Sequence, residues 1–192
     1  MSSDSKTQET LIRWIPETTS TNSAVIEIAE REKLKTLVLA ADHQTQGRGQ
    51  FGRKWLSSPN ENLLFSFYFK PRIQPDEAAP ITQLACRAVL TVLTDLKLSC
   101  MIKPPNDILV NGKKICGILT EASSSGKRLN HVIIGIGLNV NGTRETLLPE
   151  ATSIRIESGK EENREEILKL IVSQLKNELS SHFKIDFDHL VE

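Results

Sequence analysis

Two stretches of the chain concentrate residues able to handle an anion. HQTQGRGQFGRKW at 43–55 sets Arg48, Arg53 and Lys54 around a G-x-G-x-x-G pattern and ends on Trp55. KPPNDILVNGKKICGIL at 103–119 sets Asp107 and Lys114 on either side of an Asn111-Gly112 pair. Arginine forks onto carboxylates and phosphates, lysine offers a compact charge, and Gly47, Gly49 and Gly52 let the backbone come close to a ligand. Trp55 adds a flat face on which a purine could stack.

The glycine pattern fits neither of the usual phosphate motifs. A dinucleotide fingerprint needs a helix opening directly from the glycines, so that the pyrophosphate meets its N-terminus. Here KWLSSPNENLLFSFYF follows, with Pro59, turn residues and then strand character. A P-loop would close on Gly-Lys-Ser/Thr, which is absent. What remains is a basic, conformationally free loop, to be weighed against a solvated glycine-rich turn beside a core tryptophan.

The second stretch reads as a hairpin, because Asn-Gly between apolar runs is the strongest short turn signal. A two-residue turn pairs Val110 with Lys113, Leu109 with Lys114 and Asp107 with Cys116. Asp107, Leu109, Lys114 and Cys116 then share one face, with Asp107 and Lys114 as diagonal neighbours about 7 Å apart. Such a pair can meet an anionic ligand; the plain alternative is a surface ion pair, worth little. Lys113 reads as solvated decoration of the turn. Gly117, and the sparse strand GIGLNVN at 135–141, leave room for a ligand or a second backbone.

Several elements must hold these stretches in place. A helix is expected after PETTSTN, with Val25, Ile28 and Ala29 at helical spacing, followed by a buried strand at 36–42. Another strand is expected at 62–69, and a long helix between Asp76 and Leu98 with its stripe from Ile81 to Leu96. DILV, ICGILTEAS and HVIIGIGLNV read as an antiparallel run, with Ser125-Gly126-Lys127 as the second turn. Asn163 and Glu166 resemble a capping box ahead of a last helix carrying Ile167, Leu170, Ile171, Leu175 and Leu179. The expected fold class is α+β, with a mixed, largely antiparallel central sheet and helices packed on one face.

Composition narrows the classes of function. With 192 residues the chain is read as a single domain, 1–192, large enough to bury a real core. Twenty-four basic and 24 acidic residues leave zero formal charge, which argues against nucleic-acid binding by bulk charge. Cys86, Cys100 and Cys116 are odd in number and lack metal-ligand spacing, so they read as reduced thiols of a cytoplasmic protein. No apolar run approaches a membrane span, and MSSDSKTQET lacks the basic start and apolar core of a signal peptide.

Ser20-Thr21-Asn22, QTQGRGQFGRKW, KPPNDILVNGKKICGIL, GIGLNVN and ATSI, in this order between residues 14 and 154, resemble the catalytic domain of biotin protein ligases (biotin–[acetyl-CoA-carboxylase] ligases). Any one stretch is weak; five in order are specific. The resemblance implies the class II aminoacyl-tRNA synthetase-like, biotin–lipoate ligase fold and a two-step reaction. The biotin carboxylate attacks the α-phosphate of Mg2+-ATP, giving biotinyl-5′-AMP and pyrophosphate. A lysine of the biotin carboxyl carrier protein of acetyl-CoA carboxylase, or of a related carboxylase, then takes the biotinyl group and releases AMP.

By this resemblance Lys114, Arg48 and Asp107 are the catalytic residues. Lys114 would contact the carboxylate and the α-phosphate, and Arg48 would hold one of them under a closed loop. Asp107 would either orient Lys114 or help deprotonate the acceptor lysine. Ser20, Thr21, Asn22, Gln44, Gly47, Arg48, Lys114 and Gly117 are expected at biotin. Arg48, Gly49, Gln50, Arg53, Trp55, Asn106, Lys114 and Asn139 are expected at ATP, with Trp55 stacked on adenine and Asn139 reading its edge. The loop at 43–55 is expected to order over the intermediate and exclude water. No metal ligands are assigned.

The chain departs from the family where Pro104 replaces the usual tryptophan and Gln50 stands where many members carry arginine. Neither an N-terminal winged-helix domain nor a C-terminal β-barrel is evident, so DNA is not expected as a partner; a homodimer is compatible with the resemblance. Two rivals remain. A lipoate protein ligase shares the fold, but its Arg-Arg, triple-glycine and His-Asp loop differs from 43–55. A non-catalytic biotin-binding module would explain Pro104 and Gln50, against the retention of Arg48, Asp107 and Lys114.

Overall fold

A computed structural model describes residues 10–187. The segment 1–9, most of the stretch read above as no signal peptide, lies outside the described residues. Seven strands form one sheet: β1 (Ile12–Thr18), β2 (Thr36–Gln44), β3 (Leu63–Phe69), β4 (Cys100–Lys103), β5 (Asp107–Val110), β6 (Lys113–Ser125) and β7 (Arg128–Leu138). Their order is β1-β2-β3-β7-β6-β5-β4; β1 runs parallel to β2 and every other pair is antiparallel. The helices are α1 (Thr21–Arg31), α2 (Ile81–Asp95), α3 (Ile154–Ser158) and α4 (Arg164–Phe183). Among the described residues no helix is long and apolar enough to cross a membrane.

Local sequence explains the turns. Asn111 and Gly112 take φ of 52° and 77°, the doubly positive geometry whose twist matches the flanking strands. Gly126 turns β6 into β7 with φ of 59°. Asn163 caps α4 by accepting hydrogen bonds from the backbone N–H groups of Glu165 and Glu166, satisfying donors with no partner inside the helix. From the glycines at 47–52 only a short 3-10 turn follows before β3, so no helix opens there.

The apolar alternation sorts the two faces of the sheet. Phe65, Phe67, Phe69, Val38, Ala40, Ile134 and Ile136 are buried against the stripes of α2 and α4. Full burial of side chains of this size contributes about 1.5–3 kcal/mol each. These two helices lie on one face, as the sequence predicts. The first helix does not: α1 covers the opposite face, where Val25 and Ala29 pack on Leu37, Leu39, Tyr68 and Ile133. That second face is only partly roofed, and its open part holds the site.

The hairpin register also departs from the count made from its turn. Val110 pairs with Lys113 and Leu109 with Lys114, but Ile108 then pairs with Cys116 and Asp107 with Gly117. The extra residue is Ile115, a β-bulge that lets both Ile115 and Cys116 turn into the core, each fully buried. Cys116 therefore leaves the face of Lys114, and Gly117 takes its place opposite Asp107.

Candidate active site

Strand pairing lines up Asp107, Gly117, Gly137, Leu64 and Ala41 in one row across the partly roofed face. The next row runs Leu119, Gly135, Ser66, Leu39. Three adjoining glycines remove side chains where the rows meet and hollow a trough between α1 and the β5–β6 hairpin. The 45–55 loop lies over it. Together they enclose a cleft of about 380 Å³, within the size of small-molecule sites.

Trp55 lies in the trough: a Cβ at Gly117 would stand 2.9 Å from its Cζ3, and one at Gly137 would collide with its indole. Glycine at these positions is therefore a packing requirement. The loop holds Trp55 through backbone bonds, with the Trp55 N–H donating to Gly47 O at 2.9 Å and the Gly49 N–H to Arg53 O at 2.7 Å. A Cβ on Gly47 would meet Trp55 O at 2.6 Å, so Gly47 serves this closure.

Lys114 is held by backbone on both of its polar groups. Its N–H donates to Glu150 O and its carbonyl accepts from Thr152 N–H, each at 2.9 Å, making a parallel bridge with the ATSI segment. Its ammonium lies 2.6 Å from Asp107 Oδ1 and 5.4 Å from the centroid of the Trp55 ring. Cation, carboxylate and aromatic face thus converge at one end of the cleft, with the Lys114 side chain about one-third exposed.

The α1 end is a hydrogen-bonded polar wall. Thr21 donates to Gln44 Oε1 from its N–H at 2.7 Å and from its hydroxyl at 3.0 Å. Ser66 Oγ lies 2.7 Å from Thr21 Oγ1 and 2.5 Å from Asn22 Oδ1, and Asn22 Nδ2 donates to Glu121 Oε2 at 2.6 Å. Ser20, Thr21, Asn22 and Ser66 are all buried, and the network fixes the orientations of Thr21, Asn22 and Ser66 before any ligand arrives. Asn22 Oδ1 stands where a Cβ at Gly135 would intrude, tying the helix start to the trough.

Of the residues expected in catalysis, at biotin or at ATP, Ser20, Thr21, Asn22, Gln44, Arg48, Gly49, Gln50, Arg53, Trp55, Asn106, Asp107, Lys114 and Gly117 line the cleft. Gly47 and Asn139 lie behind it. Asn139 is buried, its Nδ2 donating to Thr152 O at 3.0 Å and its N–H to Ile115 O at 2.9 Å. It connects β7 to the segment that brackets Lys114. Asn106 lines the cleft but spends its side-chain donor on Ile118 O at 2.7 Å. Arg48 turns outward, to Glu121 Oε2 at 3.2 Å and Ser23 Oγ at 3.4 Å. The Trp55 indole lies on glycines, and no aromatic partner is needed to place it.

Sequence reasoning assigned no site role to Lys54, Lys103, Ser66 or Glu121. Lys54 and Lys103 belong to the quoted stretches, and their charge was the available signal. Ser66, inside an otherwise apolar strand, was a weaker one. With them, five basic residues and one acidic residue, Asp107, line the cleft among the described residues, although the whole chain is neutral. Charge absent in bulk is concentrated locally, which favours anionic ligands.

The Biotin/lipoate A/B protein ligase family profile matches residues 14–139. The chain is 35% identical over 158 residues to the bifunctional ligase/repressor BirA of Bacillus spizizenii, covering 80% of this chain and 49% of that protein. It is 35% identical over 165 residues to the biotin–[acetyl-CoA-carboxylase] ligase of Paracoccus denitrificans, covering 80% of this chain and 67% of that one. The chain thus spans about half the length of the first of these relatives and about two thirds of the second. The structure of Aquifex aeolicus biotin protein ligase in complex with biotin and ATP superposes with a TM-score of 0.75 at 30% identity, over 92% of this chain and 73% of that one. With the profile spanning well over half its length, this chain belongs to the biotin/lipoate A/B protein ligase family.

Proposed function

We propose that the protein is a biotin protein ligase. It activates the carboxylate of biotin with ATP to biotinyl-5′-AMP, then transfers the biotinyl group to a lysine of a biotin carboxyl carrier protein. The carrying observation is Lys114: bracketed by backbone, paired with Asp107 and set beside Trp55 in a cleft whose charged lining is mainly cationic. A relative of the same fold is known with biotin and ATP together.

In the first step a carboxylate oxygen attacks the α-phosphorus and pyrophosphate leaves. Two anions must approach, and charge builds on the phosphoryl oxygens. Lys114 supplies a fixed cation there, and Arg48, Arg53, Lys54 and Lys103 make the potential of the cleft more positive, which favours the approaching anions. Mg2+ enters with ATP as part of that substrate. The polar wall of Ser20, Thr21, Asn22 and Gln44 suits the ureido ring, which offers both N–H and C=O groups. In the second step the carrier amine attacks the acyl carbon and AMP leaves. The short Asp107–Lys114 contact favours the orienting role for Asp107 over proton abstraction from the incoming lysine. Free cysteines fit a reducing compartment such as the cytoplasm.

The reading is tested by incubating the protein with ATP, a biotin carboxyl carrier domain and either biotin or lipoate, then weighing the carrier. Addition of one biotinyl group is expected. Addition of lipoyl instead would assign the chain to the other branch of its family.

A further inference from the structure

We infer that Glu121 is a positioning residue that holds Arg48 in the resting site and yields it to the anionic ligand. The inference rests on the proposed function and concerns the same cleft. One oxygen, Glu121 Oε2, accepts from Asn22 Nδ2 at 2.6 Å and from Arg48 Nη2 at 3.2 Å. It therefore joins the two walls that must cooperate, the start of α1 and the 45–55 loop. Glu121 sits in the middle of β6, opposite Ile133, one row beyond the glycine trough. Its carboxylate borders an outer hollow that Ser23, Glu27, Arg48 and His131 also line.

Arg48 borders both this outer hollow and the cleft, so it stands between the Glu121 carboxylate and the space an anionic ligand would enter. Its side chain is 47% exposed and that of Glu121 36%, leaving the guanidinium free to swing. A carboxylate or phosphate entering the cleft competes with Glu121 for the same fork. Glu121 thus keeps Arg48 neutralised and the loop docked while the cleft is empty. The bond to Asn22 remains when Arg48 leaves, so the biotin wall stays ordered throughout the exchange.

Calorimetric titration of the full chain with biotin, and separately with its uncharged amide, tests the exchange. Glu121→Gln keeps an acceptor for Asn22 but removes the charge that competes for Arg48. It should tighten biotin about two- to five-fold, the range spanned by an exposed ion pair, and leave the amide unchanged. In the ligand-free variant the backbone amides of Gly49 and Trp55 should exchange with solvent faster than in the parent. Glu121→Asp, which retains the charge, should not tighten biotin. Unchanged or weaker biotin binding in Glu121→Gln overturns the inference alone, as does equal tightening of the amide. A parent protein that binds neither ligand overturns the proposed function and the inference together.

Discussion

Lys114 reaches Asp107 across the space that Gly117 leaves empty. A Cβ at Gly117 would lie 3.1 Å from both Cε and Nζ of Lys114, and 2.9 Å from Trp55 Cζ3. The bulge at Ile115 brings this glycine opposite Asp107, so backbone irregularity and side-chain absence together allow the 2.6 Å contact. Gly117→Ala should push Trp55 and Lys114 off the trough and weaken biotin binding about ten-fold or more, the scale of overpacking a tight site. Titration calorimetry checks this, with circular dichroism expected to show the fold retained.

Lys114→Ala should lower the rate of adenylate formation by at least about 10²-fold, as when a fixed charge-stabilising group is removed. The partly exposed lysine contributes little to packing, so the thermal midpoint should stay within a few degrees of the parent. A variant that fails to fold would show that Lys114 is structural.

Asn139→Ala removes the donor to Thr152 O inside a buried segment. An orphaned buried carbonyl costs about 1–3 kcal/mol, and that loss should appear in denaturant unfolding without any nucleotide present. Full stability with weakened ATP binding would instead support the adenine-reading role expected from sequence.

Burial pushes the Cys86 and Cys100 thiols up to about 11 and that of Cys116 well above its ordinary value of 9.0. Raised values favour the neutral thiol in the folded state. Alkylation should therefore be slow near neutral pH in the native protein and fast once it is unfolded. The linked stability is fully present below pH 9.0, the ordinary value, and is lost as pH rises towards the folded values near 11. Unfolding midpoints measured across that window check the sign.

Much of this arrangement was legible in sequence because it is encoded locally. Asn111-Gly112 dictates its own turn, α2 carries a helical stripe, and strand character at 62–69 excluded a dinucleotide loop. Other features were hidden for physical reasons. β1 contains Pro16 and runs into the threonine-rich segment Thr18-Thr19-Ser20-Thr21, and it is an edge strand, where such residues are tolerated without an apolar run. The Ile115 bulge cannot be counted from a turn, since a slip of one residue leaves composition unchanged. Helix α1 shows an apolar stripe but not which sheet face it will cover. Glu121 meets Asn22 and Arg48 across 99 and 73 residues, and no local pattern announces such a contact.

The most direct test of the account is exchange of labelled pyrophosphate into ATP, which reports adenylate formation without any carrier protein. The folded chain should catalyse exchange that depends on biotin and is lost in Lys114→Ala. Absence of biotin-dependent exchange, or exchange undiminished in Lys114→Ala, would contradict the assignment of this cleft as an acyl-adenylate site.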